Sequence, residues 1–339
     1  MRAPAFWWPA TPSLLPRLLR PASLVYGAVA ARRLARPGAR AGLPVICIGN
    51  FTAGGAGKTP TALAVADLLE AAGESPAFLS RGYGGRIAGP VQVGAGHTAA
   101  DVGDEPLLLA RRARAIVSRD RPAGTRLAAG IGATVVVMDD GLQNSSVRKD
   151  CAIAVVDGVT GIGNGLTLPA GPLRAPMAAQ WAAVDAVVVI GTGTGGDAVA
   201  REARARGKRV FGARLAPDPA AAEALRGRRV LAFAGIGRPQ KFFDSLRECG
   251  AAVARSRAFP DHHPYTAADI ARLKDEAGRE GLQAVTTEKD LVRIAGTETA
   301  ASWPDLMALP VRLDLEDGAG FRAFILGCVE ERRRSAGSS

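Results

Sequence analysis

The sequence PVICIGNFTAGGAGKTP, from Pro44 to Pro60, joins an apolar stretch to a helical one through a turn of small residues. The run from Pro44 to Gly49 is short and apolar, which predicts a buried strand. Pro60 suits the first turn of a helix, where its missing N–H costs nothing. The pattern then predicts a helix from Pro60 to Ala72, ended by Gly73. A strand, a flexible loop and a helix therefore follow one another.

The loop between strand and helix has the composition of a phosphate-binding P-loop, GxxxxGK[ST]. Gly57, Lys58 and Thr59 match its end, whereas Thr52 stands at the first glycine position. Small residues let backbone N–H groups converge on phosphate oxygens, towards which the helix points its positive end. We expect Lys58 to reach the β- and γ-phosphates of a nucleotide and Thr59 to hold Mg²⁺. The predicted nucleotide-binding residues are Thr52, Ala53, Gly54, Gly55, Ala56, Gly57, Lys58 and Thr59.

An acidic pair ends a second apolar stretch. Thr134–Met138, TVVVM, predicts a strand, and Asp139 and Asp140 follow it directly. P-loop sites place an Asp at such a strand end to bind Mg²⁺ directly or through water. Strand-end acids also serve as ordinary caps, but the P-loop favours a metal role for one of the two.

Short apolar strands alternate with helical stretches along most of the chain. This alternation predicts an α/β fold, a P-loop NTPase-like and mainly parallel sheet flanked by helices. A Pro- and Ala-rich stretch predicts a linker to a second, smaller α/β lobe. The predicted organisation is an N-terminal segment (1–40), a P-loop domain (41–215), a linker (216–227), a C-terminal α/β domain (228–330) and a flexible tail (331–339).

Charge and cysteine content limit the partners and the compartment. With 339 residues, 47% of them hydrophobic, and a net charge of +11, the chain can form a globular core and favours an anionic partner. A general preference for Arg is an alternative source of the charge, since only six of the 43 basic residues are Lys. The four cysteines are far apart and form no CxxC, so we expect neither disulfides nor zinc, in a reducing cytosolic setting.

The N-terminal segment combines basic, aromatic and leucine residues. No Asp or Glu precedes Asp67. Prolines interrupt the apolar residues, which argues against a secretory signal, and the stretch between Arg20 and Arg32 is shorter than the roughly 20 apolar residues of a spanning helix. This composition predicts a segment lying in a membrane interface; the alternative is a helix packed on the protein's own core. The basic residues are Arg2, Arg17, Arg20, Arg32, Arg33, Arg36 and Arg40.

Six further motifs accompany the P-loop. They are Leu79–Gly84 (LSRGYG), Gly103–Pro106 (GDEP), Asp139–Gln143 (DDGLQ), Leu168–Arg174 (LPAGPLR), Phe259–Tyr265 (FPDHHPY) and Thr287–Asp290 (TEKD). Together with the P-loop, this set resembles the tetraacyldisaccharide 4′-kinases, the lipid A kinases of Gram-negative bacteria. The P-loop alone has low specificity, whereas the ordered set is highly specific.

The resemblance implies phosphorylation, with ATP and Mg²⁺, of the 4′-hydroxyl of an acylated glucosamine disaccharide. It implies a peripheral protein at the cytoplasmic face of the inner membrane, with the active site in a cleft between two lobes. By position, Lys58 acts on phosphate, Asp104 is the catalytic base and His262 of the second lobe is its partner, with His263 as the alternative. Asp139 and Asp140 take the metal role. The implied site-lining residues are Tyr83, Gln143 and Arg174. Ala175 stands where the family usually has Glu, so this chain departs from the family pattern at that position and cannot supply that carboxylate.

General chemistry supports the catalytic roles, although each residue has a simpler alternative. Transfer to a sugar hydroxyl needs positioning, charge neutralisation and a proton acceptor. Asp104 begins a predicted helix, Glu105–Arg114, where an anion is stabilised and a neighbouring His can orient it. The alternatives are a plain helix cap for Asp104, a structural turn for His262 and a surface charge for Arg174.

Two other classes of protein fit the sequence less well. Switch ATPases of one P-loop class carry a Lys where this chain has Ala53, and no guanine-specificity motif is present. A nucleic-acid-binding protein should combine its basic stripe with stacking aromatics, but only 5% of the residues are aromatic. We therefore expect a monomeric enzyme with a lipid substrate and no nucleic-acid partner.

Overall fold

A computed structural model describes residues 4–9, 13–295 and 303–337, and this part of the chain forms two sheets. The strands are β1 (Val45–Gly49), β2 (Pro76–Ser80), β3 (Val91–Gln92), β4 (Arg114–Val117), β5 (Val135–Asp139), β6 (Cys151–Asp157), β7 (Ala186–Ile190), β8 (Arg209–Pro217), β9 (Arg229–Ala234), β10 (Ala252–Ala258), β11 (Gln283–Thr287), β12 (Met307–Leu309) and β13 (Val311–Leu315). The helices are α1 (Leu14–Leu34), α2 (Lys58–Glu70), α3 (Ala99–Val102), α4 (Asp104–Ala110), α5 (Arg121–Gly130), α6 (Met177–Ala182), α7 (Thr194–Ala205), α8 (Pro219–Leu225), α9 (Pro239–Glu248), α10 (Ala267–Glu280), α11 (Glu288–Ala295) and α12 (Gly318–Gly337).

The larger sheet forms the first lobe. Within the described residues its nine strands follow the order β13-β8-β7-β6-β1-β5-β2-β4-β3, and only the two edge strands, β13 and β3, run antiparallel to their neighbours. Helices α2, α4 and α12 supply apolar side chains to one face, and α5, α6 and α7 supply them to the other. A mainly parallel sheet covered on both faces confirms the predicted fold class.

The central strand brings two predicted motifs to one edge of the sheet. All five residues of β1 are buried, and burying each Val or Ile side chain contributes about 1.5–3 kcal/mol to folding. β1 runs parallel to β5, with Ile48 opposite Asp139. Because parallel strands end at the same edge, the P-loop and the acidic pair leave the sheet side by side.

The smaller sheet forms the second lobe. Its four parallel strands follow the order β10-β9-β11-β12, and β9 is buried from Val230 to Ala234. Helices α8 and α9 pack on one face, and α10 packs on the other. The predicted second α/β lobe is therefore present in the structure.

The stretch predicted as a linker, 216–227, is regular structure. β8 continues to Pro217, and α8 follows almost at once. Asp218 accepts a hydrogen bond from the Ala221 N–H, and Pro219 stands in the first turn, so a capped helix forms where composition predicted a loop. Leu225 is fully buried in the core of the second lobe, which fixes this helix in place.

The C-terminal part of the chain returns to the first lobe, which differs from the predicted boundaries of 228–330 and 331–339. β13 pairs with β8, and α12 buries Phe321, Ile325 and Val329 against the larger sheet. Their spacing of four residues places them on one face of the helix. Arg333 forms an ion pair with Glu74, so the predicted flexible tail is helical as far as Gly337. Residues 338–339 lie outside the described part.

Helix α1 lies against the first lobe with a narrow contact face. The Ser23 hydroxyl donates to the Thr167 carbonyl at 2.8 Å. Gly27 is buried, and a Cβ there would lie 3.2 Å from Thr167 Oγ1 and 3.3 Å from Pro176 Cγ. Much of the remaining surface is apolar and exposed, including Leu14, Leu18 and Val25. The helix thus has both a docked face and an uncovered apolar one.

Candidate active site

The P-loop is shaped by glycines in conformations that other residues rarely adopt. Gly54 and Gly57 have φ angles of 123° and 90°. A Cβ on Gly57 would also lie only 2.4 Å from Ile190 Cδ1, so the Ile190 side chain would have to move to accommodate it. The Ala53 N–H donates to the Pro172 carbonyl at 2.7 Å, which anchors the loop to the LPAGPLR segment. α2 then begins at Lys58 and points its positive end at the loop.

Lys58 and Arg174 share one carboxylate. Lys58 Nζ lies 3.3 Å from the Gly54 carbonyl and 3.7 Å from Asp140 Oδ1. Arg174 donates to both Asp140 oxygens, at 2.9 and 3.1 Å, and to the Thr52 carbonyl at 3.1 Å. Burial alone would raise the pKa of Asp140, but the charges of Lys58 and Arg174 outweigh it and lower the pKa. Arg174 therefore connects the P-loop with the acidic pair.

Asp139 is a buried carboxylate whose two oxygens have no hydrogen-bond partner among the described residues. Burial, Glu105 and Asp140 raise its pKa to about 7. Thr59, also buried, follows Lys58 in the first turn of α2. In the described ranges no cluster of three His, Cys, Asp or Glu residues could hold a metal by itself. Carboxylate oxygens without hydrogen-bond partners suit Mg²⁺, which commonly takes one or two protein ligands, with phosphate and water oxygens.

A buried ion pair joins the lobes at the predicted catalytic base. Asp104 begins α4, which ends at Ala110 and is shorter than predicted. Its Oδ2 lies 3.1 Å from His262 Nδ1 and accepts two hydrogen bonds from Arg293, one of them from Nε at 2.9 Å. Burial would raise the pKa of Asp104, but the bond to His262 and the charges of Arg293 and Lys289 outweigh it and lower the pKa well below its usual range.

His262, rather than His263, is the partner of Asp104. Its hydrogen bond to Asp104 raises the pKa of the imidazole, which is partly exposed and packs edge-on against Tyr83 with ring centroids 5.8 Å apart. His263 instead places Nε2 3.0 Å from Asp269 Oδ2 and stacks on Phe259. The two adjacent histidines therefore have different tasks, and the second belongs to the packing of its own lobe.

A second ion pair between the lobes lies next to Asp104. Lys289 Nζ donates to Glu105 Oε1 at 2.7 Å. Burial alone would lower the pKa of Lys289, but Glu105, Asp104 and Asp139 outweigh it and raise the pKa. Positive and negative side chains thus alternate from Lys58, through the acidic pair and Lys289, to Asp104.

The remaining predicted site residues divide into two groups. Gln143 donates to the Asn50 carbonyl and to Gln180 Oε1, both at 2.8 Å, so its amide supports the start of the P-loop. Tyr83 is 71% exposed and leaves its ring available beside His262. Ala175 is fully buried, so the position that departs from the family pattern contributes no carboxylate to the site.

Sequence reasoning had not identified Arg293, Lys289 and Glu105 as parts of the site. The TEKD motif, to which no role was assigned, could have indicated them, since it contains Lys289 and Arg293 follows one helical turn later. Their partners lie 184 and 189 residues away in sequence, and spacing alone does not reveal such contacts.

The P-loop, the strand-end acids and a buried acid–histidine pair on a mainly parallel sheet define a P-loop phosphotransferase. The family model described as tetraacyldisaccharide-1-P 4′-kinase, LpxK, matches residues 15–330. The chain belongs to this family, which confirms the resemblance and makes the protein a kinase.

Named relatives match over nearly the whole chain. The tetraacyldisaccharide 4′-kinase of Methylobacterium nodulans is 64% identical over 87% of this chain and 88% of its own. That of Methylobacterium sp. strain 4-46 is 59% identical over 98% and 99%. The crystal structure of "apo" form LpxK from Aquifex aeolicus in complex with ATP aligns with a TM-score of 0.72 at 26% identity, covering 93% of this chain and all of that one.

Proposed function

We propose that this kinase transfers the γ-phosphoryl group of ATP to the 4′-hydroxyl of an acylated glucosamine disaccharide, a lipid A precursor. The observation that carries the proposal is the Asp104–His262 pair, which joins the lobes and is linked by charge to the P-loop. A hydrolytic switch needs to position only water, whereas a cleft between two lobes gives room for a large acceptor. Family membership identifies that acceptor class.

Each residue has a role that follows from its contacts. The P-loop amides and Lys58 bind the phosphates and neutralise the charge on the group being transferred. Asp104, held as an anion, orients the acceptor hydroxyl and takes its proton as the new O–P bond forms, while the bond between the γ-phosphorus and the bridging oxygen breaks and ADP leaves. His262, whose pKa is raised, receives that proton through its hydrogen bond to Asp104. Arg174 fixes the position of Asp140 relative to the P-loop, and Tyr83 offers a ring beside the acceptor.

Thr59 and Asp139 would hold Mg²⁺, with Asp140 beside them. The uncompensated oxygens of Asp139 support this role. When bound, the ion supplies positive charge that neutralises the phosphate oxygens during transfer. Asp140 is already engaged by Arg174, so we assign it to support of the site and Asp139 to the metal itself.

A transfer assay tests this function directly. Purified protein with ATP, Mg²⁺ and a detergent-solubilised lipid A disaccharide should produce the 4′-phosphorylated lipid, with one ADP for each lipid phosphorylated. Chelation with EDTA should abolish transfer, and restored Mg²⁺ should recover it. ATP hydrolysis that proceeds equally with and without the lipid would instead identify a hydrolytic switch.

We propose that the enzyme works as a peripheral protein at the cytoplasmic face of the inner membrane, attached through α1. Leu14, Leu18 and Val25 are 71%, 68% and 67% exposed, and their spacing keeps them near one side of the helix. Burial of such side chains in a bilayer gains about 0.8 kcal/mol per CH₂, and each Arg near an anionic leaflet adds roughly 1 kcal/mol. Among the described residues no helix is both long and apolar enough to cross a bilayer. Residues 1–3 and 10–12 of the predicted segment lie outside the described part.

Replacing Leu14, Leu18 and Val25 by Ser should release the protein from anionic vesicles and raise the apparent KM for the lipid. The reason is that these side chains lose their apolar burial in the interface while the docked face at Ser23 and Gly27 is retained. Sedimentation with vesicles, at low and high salt, measures the effect.

Leu215→Ser is the matched control, since it removes an exposed apolar side chain elsewhere and should leave vesicle binding unchanged. The triple variant should also keep the thermal stability and ATP affinity of the wild type. If the triple variant binds vesicles as tightly as the wild type, α1 is not the membrane contact.

A further inference from the structure

Arg293 is a buried side chain of the second lobe that reaches into the first. Its Nε and Nη2 both donate to Asp104 Oδ2, and Nη2 also lies 3.5 Å from His262 Nδ1. Its Nη1 donates to the Gly235 carbonyl at 2.8 Å and to Asp290 Oδ1 at 2.7 Å. One guanidinium therefore contacts both members of the proton-accepting pair and two groups of its own lobe.

The groups behind Arg293 are themselves fixed. Asp290 is fully buried, and its second oxygen accepts hydrogen bonds from Thr287 Oγ1 at 2.6 Å and from the Gly235 N–H at 3.1 Å. The planar guanidinium has five donors in a rigid fork, so it can hold several acceptors at defined angles at once. Arg293 consequently transmits the position of the second lobe to the carboxylate of Asp104.

We propose that Arg293 is a positioning residue for phosphoryl transfer, which aligns the Asp104–His262 pair when the two lobes meet. This inference rests on the proposed function, because it assigns the proton-accepting role to that pair. Asp104 Oδ1 is held by the Glu105 N–H at 3.0 Å, so Arg293 and His262 determine how the other oxygen is presented. Without Arg293 the carboxylate keeps His262 as a link to the second lobe but loses the guanidinium that fixes its orientation.

The charge of Arg293 has a defined effect on pH dependence. It lowers the pKa of Asp104 and also that of His262, so its removal raises both. Transfer requires an ionised Asp104 and a neutral His262, and both forms are lost as pH falls. The acid limb of the kcat–pH profile therefore moves to higher pH when the charge is removed. Among the described residues, the other charged or titratable groups around the pair are Tyr83, Glu105, Asp261, Lys289 and Asp290.

Two substitutions at this position separate charge from geometry. Arg293→Gln should lower kcat roughly 100-fold, as misplacement of a catalytic group does, and should move the acid limb to higher pH. Arg293→Lys keeps the charge but not the fork, so it should lose part of kcat with the acid limb near its original place. The apparent KM for ATP should stay unchanged in both, since neither substitution touches the P-loop.

The matched control is Lys241→Met, which removes another cation that bridges the lobes. Lys241 Nζ lies 3.1 Å from Asp157 Oδ2, and Arg238 binds the same oxygen at 3.0 Å. This control should keep the wild-type kcat and pH profile. An equal loss of kcat in Lys241→Met would mean that Arg293 serves only lobe docking, and the inference would be overturned.

Asp104→Asn distinguishes failure of this inference from failure of the proposed function. If Asp104→Asn transfers phosphoryl groups at the wild-type rate, the Asp104–His262 pair is not the proton acceptor. A large loss in Asp104→Asn, with wild-type kcat and acid limb in Arg293→Gln, would overturn the positioning role alone. If Arg293→Gln does not fold, Arg293→Lys decides: a lower kcat at unchanged KM for ATP supports the role, and a wild-type kcat rejects it.

Discussion

Lys58→Ala should reduce phosphoryl transfer by about 10³-fold or more, since lost charge stabilisation on a transferring phosphoryl group has effects of this size. Lys58 stands at the first position of α2 and is almost fully buried beside Asp140. Its ammonium group is therefore held within the P-loop, where we expect phosphate oxygens to bind. Arg174 still neutralises Asp140 in the variant, so the fold should be retained.

Steady-state transfer and thermal denaturation, measured on the same preparation, check this expectation. Lys208→Ala is the matched control. Lys208 precedes the first residue of β8, whereas the P-loop follows the last residue of β1, so the two lie at opposite ends of the parallel strands. It should behave like the wild type in both measurements. A folded Lys58→Ala protein with near-normal turnover would show that the P-loop assignment is wrong.

Asp104→Asn and His262→Gln should each lower kcat by about 10²–10⁴-fold, the range for loss of a general acid–base group. The double variant should be hardly slower than the slower single variant, because residues that act as one unit lose their contributions together. Their direct contact, Oδ2 to Nδ1 at 3.1 Å, is the structural reason for this coupling.

Single-turnover transfer in the four proteins measures the coupling, with nucleotide affinity recorded separately. His263→Gln is the matched control, since its ring is bound to Asp269 and stacked on Phe259. It should preserve the rate of transfer. Losses that multiply in the double variant would mean that Asp104 and His262 act independently.

The parts of the fold that follow local patterns could be predicted from the sequence. The strands around β1 and β5 are continuous apolar runs, and the helix after the P-loop has its Pro and Lys–Thr signals. The return of α12 to the first lobe could not be predicted, because its partners lie hundreds of residues away. The predicted linker was wrong for a different reason, since the Asp218–Pro219 cap outweighed a loop-like composition.

The candidate site, too, could be predicted from the sequence only where a local pattern marks its residues. The P-loop and the acidic pair each follow an apolar strand, and parallel pairing of β1 with β5 brings them together. Asp104 and His262 were identified only through the family resemblance. Arg293 lies one helical turn after Lys289 of the TEKD motif, but that position alone does not reveal its partners, which only the folded chain brings together.

The pairing of β8 with β13 means that the chain enters and leaves the second lobe through adjacent strands. The second lobe is therefore attached to the first lobe at both of its ends, so contact between the two lobes is intramolecular. Tethered partners have effective concentrations on the order of millimolar, so a contact that is weak between separate molecules becomes well populated. Chain connectivity thus supplies much of the association that an extensive interface would otherwise provide. Within the part of the chain the structure describes, a few ion pairs then suffice to hold His262 against Asp104.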